Sequence, residues 1–577
     1  MTTALPPLVL QAAARCDADP EVTLSGDARA LDRLGVEKAL KLDCLPLASA
    51  GAVRPVVCPS AQHFAAALPH LTTALGAVAW QTADAPSIRR HIVALRGAAL
   101  AQRAERRTPV ADSCRTWSGP RAGAALLVLV AGLVLAWMFW PGPFWVVLTL
   151  WAAVSLVSVT ALRTAGAIAE FRHARRLGQT WASRRRDILP PAKVPRISLL
   201  VPLFDEPDIA EQLVERLGRI TYPRNRLEIC LVLESDDHAT RAALAHSDLP
   251  GWMRTVTVPP GKLKTKPRAM NYALDFTNGD IIGIYDAEDR PAPDQLMRVA
   301  EAFAKARPDV ACFQGVLDFY NPRQSWLTRC FAIDYAIWFR LVLPGLVRLG
   351  VPIPLGGTTV FFRRDILEGL GRWDAHNVTE DADLGLRLAR RGFRTEFLPT
   401  VTEEEATATI RAWVRQRSRW IKGYAITWAV HMRDPLRLLG ELGLVRFLCV
   451  QILFLGTLSQ FVLAPLLWSF WLIVAGFPHP VTEIVPWAMV VSIGALFFLS
   501  EVATLTVAAV AVATPKHNWL IKWVPVMHLY FPLAALASWK GIAELMTRPF
   551  FWDKTAHGQT AIRRRASWFF RPRQRPV

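Results

Sequence analysis

Asp280-Ile281-Ile282-Gly283-Ile284-Tyr285-Asp286-Ala287-Glu288-Asp289 runs from an apolar segment straight into three carboxylates. A short isoleucine-rich run of this kind reads as a buried strand, with the acids just past its carboxyl end. Working outward, Ile197–Phe204, Leu227–Glu234 and Val310–Gln314 are similar runs, separated by helix-like stretches. Strands alternating with helices predict an α/β domain with a mixed, mostly parallel sheet. Such sheets hold ligands at the carboxyl ends of their strands.

Either side of this domain the chain turns apolar. Of its 577 residues 52% are hydrophobic, and the mean hydropathy is +0.23. Leu126–Trp140 and Phe144–Leu162 are split by Pro141-Gly142-Pro143, and the last quarter holds Leu444–Gly476, Ile484–Thr514 and Trp519–Ala543. About 20 helical residues cross a hydrocarbon core, so the first two runs predict a hairpin of spans. Leu444–Gly476 exceeds one span and contains Pro465. It reads as two helices, giving six spans overall.

Arg172, Arg175, Arg176 and Arg184 to Arg186 follow the first pair, and Arg563 to Arg565 follow the last run. The positive-inside rule then predicts a multi-pass inner-membrane protein with the α/β domain in the cytoplasm. The expected division is 1–115, a small α/β unit; 122–163, two spans; 190–400, the cytoplasmic domain; 401–435, amphipathic interface helices; 442–545, about four spans; and 546–577, a basic tail.

The net charge of +19 lies mostly in those flanks, with no recognition-helix or RNA-binding motif beside it, which excludes a nucleic-acid partner. Eight cysteines without a C-x-x-C pair read as reduced, packed thiols. Met1–Gln11 has no basic region of the kind that opens a cleaved signal peptide.

Four clusters in the α/β domain carry chemistry. Glu234-Ser235-Asp236-Asp237 ends the second strand, where carboxylates accept hydrogen bonds from a base or ribose; a solvated acidic turn is the plainer reading. Asp286 and Glu288, two apart in an irregular segment, suit Mg2+ or Mn2+, hard cations that take oxygen ligands; a capped turn is the alternative. Thr379-Glu380-Asp381 opens a helix over Ala382–Arg391. It reads as an ordinary N-terminus or as a general base, and the two are compatible. Thr402-x-x-Glu405 looks like a capping box for a helix toward His431, on which Gln416, Arg419 and Trp420 share one face. An amide, a fixed cation and an indole there suit a diphosphate beside a sugar; an interfacial helix is the other reading.

In this order the clusters resemble the family 2 inverting glycosyltransferases of GT-A fold, especially the membrane-integrated branch with cellulose, chitin and hyaluronan synthases. The likeness spans roughly residues 195–545. It implies that Glu234, Asp236 and Asp237 bind the nucleotide, that Asp286 and Glu288 hold the metal, and that Glu380 and Asp381 supply the base. Gln416, Arg419 and Trp420 would line the donor and acceptor site. Two departures stand out: the second metal ligand is Glu288, and the first acidic turn is Glu-Ser-Asp-Asp.

Lys262 and Lys266 read as phosphate-neutralising residues or as a basic surface loop. Gly356-Gly357-Thr358 reads as a close-approach segment for an acceptor sugar or as a plain turn. Phe551-Trp552-Asp553-Lys554-Thr555-Ala556-His557-Gly558 is similar to the loop that closes over the nucleotide in cellulose synthases, with Trp552, Lys554 and His557 as the gating residues. Residues 1–115 weakly resemble the N-terminal domain of type II secretion ATPases. No R-x-x-x-R and D-x-S-x-x-G pair of the kind that senses cyclic-di-GMP appears in the tail.

The resemblance implies a UDP-sugar donor, UDP-glucose first, extending and exporting a β-linked glycan across the bilayer with envelope export partners. Addition of one sugar to a lipid-linked acceptor, and an inactive receptor or assembly scaffold, are the rival readings.

Overall fold

The computed structural model describes residues 25–177, 194–208 and 210–553. Its small N-terminal sheet has β1 (Leu45–Pro46), β2 (Arg54–Cys58) and β3 (Val78–Thr82), with β1 antiparallel and β3 parallel to β2. The Sγ atoms of Cys44 and Cys58 approach to 3.0 Å in its core, both as buried free thiols.

The central sheet has eight strands: β4 (Ile197–Leu203), β5 (Leu227–Glu234), β6 (Met253–Val258), β7 (Ile281–Ile284), β8 (Arg290–Pro291), β9 (Val310–Phe319), β10 (Val360–Arg363) and β11 (Arg394–Glu404). Their order is β6-β5-β4-β7-β10-β9-β11-β8. Pairing is parallel from β6 through β7 and between β9 and β11. It is antiparallel where β10 enters and at β8. β9 is buried at every position, as a strand covered on both faces must be, which is why it reads as a mostly apolar run, broken by Gln314 and Asp318.

One expectation is corrected here. No helix starts at Thr402: residues through Glu404 extend β11, and the helix Ile410–His431 is capped by Thr409, whose side chain accepts from Ala412 N. Nine-residue pairing with β9 satisfies the backbone of 394–404 better than a local capping box could.

Among the described residues, five helices are long and apolar enough to cross a membrane: Gly119–Phe139, Pro141–Arg176, Trp326–Arg348, Leu444–Val462 and Trp487–Val512. Asn518–Tyr530 and Leu533–Thr547 qualify as a pair bent by 47°, with Pro532 at the break. Two differences from the expected spans follow. The stretch Leu444–Gly476 divides at Leu463, and its second half, Ala464–Val474, has only 11 residues, about 16 Å of helix. Trp326–Arg348, inside the segment expected to be soluble, is apolar, but most of it is buried against the rest of the protein.

Candidate active site

The carboxyl ends of β5, β7 and β11 face one cavity of ≈ 360 Å3. Its wall includes Glu234, Lys266, Asp286, Glu288, Gly357, Thr358, Glu380, Asp381, Gln416, Arg419, Trp420 and Trp552. Residues from four distant clusters therefore meet in one place. The strand-end rule explains the first half, because a parallel strand hands its acidic successor to the rim. The helix Ile410–His431 supplies the second half, laying one face over the opening.

Lys266, at the start of the helix Lys266–Leu274, bonds Asp286 and donates to Gly357 O at 2.7 Å. Burial works against its charge, yet Asp286, Glu380 and Asp381 hold its ammonium above the usual range. Asp289 is fully buried; its Oδ2 accepts from Asp286 N at 2.9 Å and from the Thr358 hydroxyl. The Thr358 hydroxyl is thus engaged by the metal-motif turn, leaving Gly357 as the open edge of that loop. A Cβ on Gly357 would lie 3.0 Å from Asp381 Oδ2 and 3.7 Å from Lys266 Nζ, so glycine is what lets the base and the lysine crowd this edge.

Gln314, buried in β9, fixes the same loop. Its Nε2 donates to Thr358 O at 3.1 Å and its Oε1 accepts from Gly356 N at 2.9 Å. Thr359 is held at φ 54°, a left-handed conformation that is strained for a β-branched residue.

Glu380 and Asp381 open the helix Glu380–Arg390. Thr379 stands at the N-cap without a side-chain bond to the helix, and Gly423 of the overlying helix packs onto it: a Cβ there would fall 2.2 Å from Thr379 Oγ1. Burial, then the Asp381 charge beside it, pushes Glu380 up to about 8. Burial raises Asp381 as well, against the Ala382 N–H and the charges of Lys266 and Arg419. Two carboxylates this close share a proton near neutrality. Both carboxyls are raised, so the two titrate as a coupled pair.

Gln416 Oε1 and Arg419 Nε are buried without a hydrogen-bond partner among the described residues. Arg419 lies over the Trp552 ring at 4.3 Å. The segment carrying Trp552 is tied down by Lys422, which donates to Glu544 and to Phe551 O, both at 2.9 Å, and by Lys540, which donates to Asp553 at 2.9 Å. Lys554 and His557 lie outside the described residues. Trp420 joins Phe331 and Tyr335, with centroids 6.2 and 6.5 Å away, in an aromatic wall.

The first acidic turn divides. Glu234 lines the cavity, whereas Asp236 and Asp237 are not among its lining residues. Asp236 points outward to Lys264, whose proximity holds it below the usual range. Asp237 caps the helix His238–Ala245 through Thr240 N and accepts from Asp205 N at 2.6 Å. Burial pushes Glu234 up to about 7 against the pull of Arg268. Lys262, offered with Lys266 for phosphate, is likewise not a lining residue.

Glu404, Tyr424 and Arg163 are among the cavity residues that the motif reading missed. Glu404 ends β11, and burial followed by the charges of Asp289, Glu288 and Asp286 raises its carboxyl well above the usual range. The strand-end rule that picks out Asp286 picks out Glu404 too, once that segment is a strand.

Residues 281–514 match the model for Glycosyl transferase family group 2. The chain is 29% identical over 237 residues to the probable glycosyltransferase YdaM of Bacillus subtilis, covering 40% of this chain and 56% of that one. It is 27% identical over 351 residues to the beta-monoglucosyldiacylglycerol synthase of Synechocystis, covering 59% and 70%. A mannosyltransferase from Pyrobaculum calidifontis, solved with GDP-Man and Mn2+, superposes with a TM-score of 0.38 at 22% identity, over 67% of this chain and 99% of that one. The chain thus spans just over half the length of the first relative. Over residues 281–514, about two-fifths of its length, the chain is thus similar to the family group 2 glycosyl transferases.

Proposed function

We propose that the protein is a membrane-embedded inverting glycosyltransferase, which moves a hexose from a UDP-sugar, UDP-glucose first, to an acceptor hydroxyl entering from the apolar helices. The observation that carries this reading is the cavity itself. Its wall combines Lys266, Asp286, Glu288, Glu380, Asp381 and Arg419 with Trp338, Phe339, Leu458 and Phe461 of the candidate spans. A polar reaction centre with an apolar annex suits a donor from water and an acceptor carried by lipid.

In this mechanism Asp381 takes the proton of the acceptor hydroxyl, whose oxygen attacks C1 from the face opposite the diphosphate. The C1–O bond to the diphosphate breaks as the glycosidic C1–O bond forms. Arg419, its Nε free to donate, and Lys266 offset the charge on the departing diphosphate. Glu380, protonated, keeps a second negative charge away from that centre. Trp552 covers Arg419 and shields the site from water.

Asp286 and Glu288 fit a divalent cation of the Mg2+ or Mn2+ type. No group of three or more acidic, His or Cys ligands occurs among the described residues, so the donor phosphates would complete the shell, as is usual for such ions. When bound, the ion supplies neutralising charge to the diphosphate.

A second reading, extension and export of a β-linked glycan, is favoured by Tyr335 and Trp420 side by side in the cavity wall, since sugar rings pack well on aromatic faces. Incubation of the detergent-purified chain with a panel of nucleotide sugars, Mn2+ and lipid extract, followed by mass spectrometry, tests both. A single added hexose on lipid supports the first reading and a ladder supports the second; no cleavage of any donor overturns both.

A further inference from the structure

The helix Pro141–Arg176 carries Arg163 directly after its apolar run Phe144–Leu162. An arginine set among apolar helices and turned into a cavity marks a substrate path or a partner. Arg163 has no ion pair or hydrogen bond with any described residue; its guanidinium lies over the Trp338 ring at 5.8 Å and lines the cavity. Arg417, also in that wall, is paired with Asp334. Arg163 therefore lines the cavity without a carboxylate partner of its own among the described residues.

The fold works to put it there. The helices carrying Arg163 and Trp338 cross backbone to backbone: a Cβ on Gly345 would lie 1.8 Å from Gly166 O, and one on Gly166 2.9 Å from Val342 O. Gly166 is one turn beyond Arg163, so this crossing sets the arginine on the indole. Trp338 sits in a π-helical stretch, Ala336–Val342, and a second such stretch, Ile452–Gly456, precedes Leu458 and Phe461 in the same wall. π-Turns of this kind recur where a helix is shaped for function.

Resting on the transferase reading above, we infer that Arg163 on Trp338 is an anion subsite of the acceptor, and that the acceptor is a glycerophospholipid whose phosphodiester lies there while a head-group hydroxyl reaches Asp381. Two features select this class. Asp381, Tyr424 and Arg163 all line the same cavity. The base and the free cation are thus parts of one continuous site, so the acceptor carries both a hydroxyl and a separate anion. A lipid phosphate monoester would attack through its own oxygen and leave Asp381 idle. The apolar wall of Leu458 and Phe461 takes the acyl chains.

The test uses the full chain in detergent with UDP-glucose and Mn2+, and compares dihexanoyl phosphatidylglycerol, dihexanoylglycerol and inorganic phosphate. The wild type is expected to favour the phospholipid over the neutral lipid by about tenfold or more in kcat/KM, the discrimination a charge-assisted contact supplies. Arg163→Gln brings that ratio toward unity, mainly through KM, and Arg163→Lys restores part of it. A wild type without the preference, or a preference that survives in Arg163→Gln, overturns the subsite. Inhibition by inorganic phosphate as strong as by the phospholipid, without lipid glycosylation, assigns a free-anion site and overturns the lipid. UDP-glucose cleavage with transfer to neither lipid overturns this acceptor alone, whereas no cleavage of any nucleotide sugar overturns the transferase reading beneath it.

Discussion

Glu105 and Glu234 are joined through one buried guanidinium: Arg268 donates from Nε to Glu105 at 3.0 Å and from Nη1 to Glu234 at 3.2 Å. Glu105 belongs to the helix Ala85–Arg106 of the N-terminal unit, and Glu234 to the cavity wall. The N-terminal unit thus holds one edge of the catalytic cavity. Next to this pair, Asn271 Nδ2 donates to Ala104 O at 3.0 Å and to Trp373 O at 2.7 Å.

Breaking this link is expected to be expensive. Arg268→Met leaves Glu234 buried without its cation, at a cost of about 3–5 kcal/mol. Thermal unfolding in detergent reads the loss, and Glu105→Gln, which keeps the Arg268–Glu234 pair, lowers the midpoint less.

Glu234 also predicts a pH dependence of stability. Its carboxyl is raised from the usual 4.5 to about 7, so the folded state holds the proton more tightly than the unfolded chain. Its contribution is fully present below pH 4.5, declines as pH rises to about 7, and is level above. Unfolding midpoints measured across that window follow this slope, and Glu234→Gln flattens it.

Asp381 and Glu380 separate by role. Asp381→Asn is expected to lower kcat by about 10²–10⁴, the usual worth of a general base. Glu380→Gln, which mimics the protonated acid, costs about tenfold or less. Because burial raises Asp381, activity climbs with pH above the ordinary aspartate range; ionisation of Glu380 near pH 8 then sets a second negative charge beside the diphosphate and ends the climb. A kcat–pH profile checks both limbs.

Gly357→Ala places a methyl 3.0 Å from Asp381 Oδ2. The expected result is a fall in kcat/KM of about tenfold or more with an unchanged unfolding midpoint, since the methyl projects into the cavity. Steady-state kinetics beside a melting curve separates this from a folding defect.

Trp552→Ala uncovers Arg419 and admits water. Hydrolysis of the donor relative to transfer is expected to rise severalfold, measured as free hexose against glycosylated acceptor.

Much of the cavity could be read from the chain because its parts are local. Leu227–Glu234 is a largely apolar run, and it is β5 over those same residues. Gln416, Arg419 and Trp420 fall on one helical face by spacing alone. Features set by contacts between distant segments were hidden. Thr402–Glu405 matches a capping box locally, yet pairing with β9 draws it into a strand. Asp237 looks equivalent to Glu234 in sequence, but only a folded chain shows it spent on a helix cap and on Asp205 N. Arg268, Gln314 and Arg163 carry no motif, and their importance lies in what they touch.

The central claim is that Asp381, the Asp286–Glu288 turn and the Gln416–Trp420 face work as one sugar-transfer site. Following label from radioactive UDP-glucose into product, with wild type and Asp381→Asn of matching unfolding midpoint, tests it most directly. Label in product from the wild type, and at least a hundredfold less from the variant, is the predicted result. Equal labelling by the two proteins would contradict it.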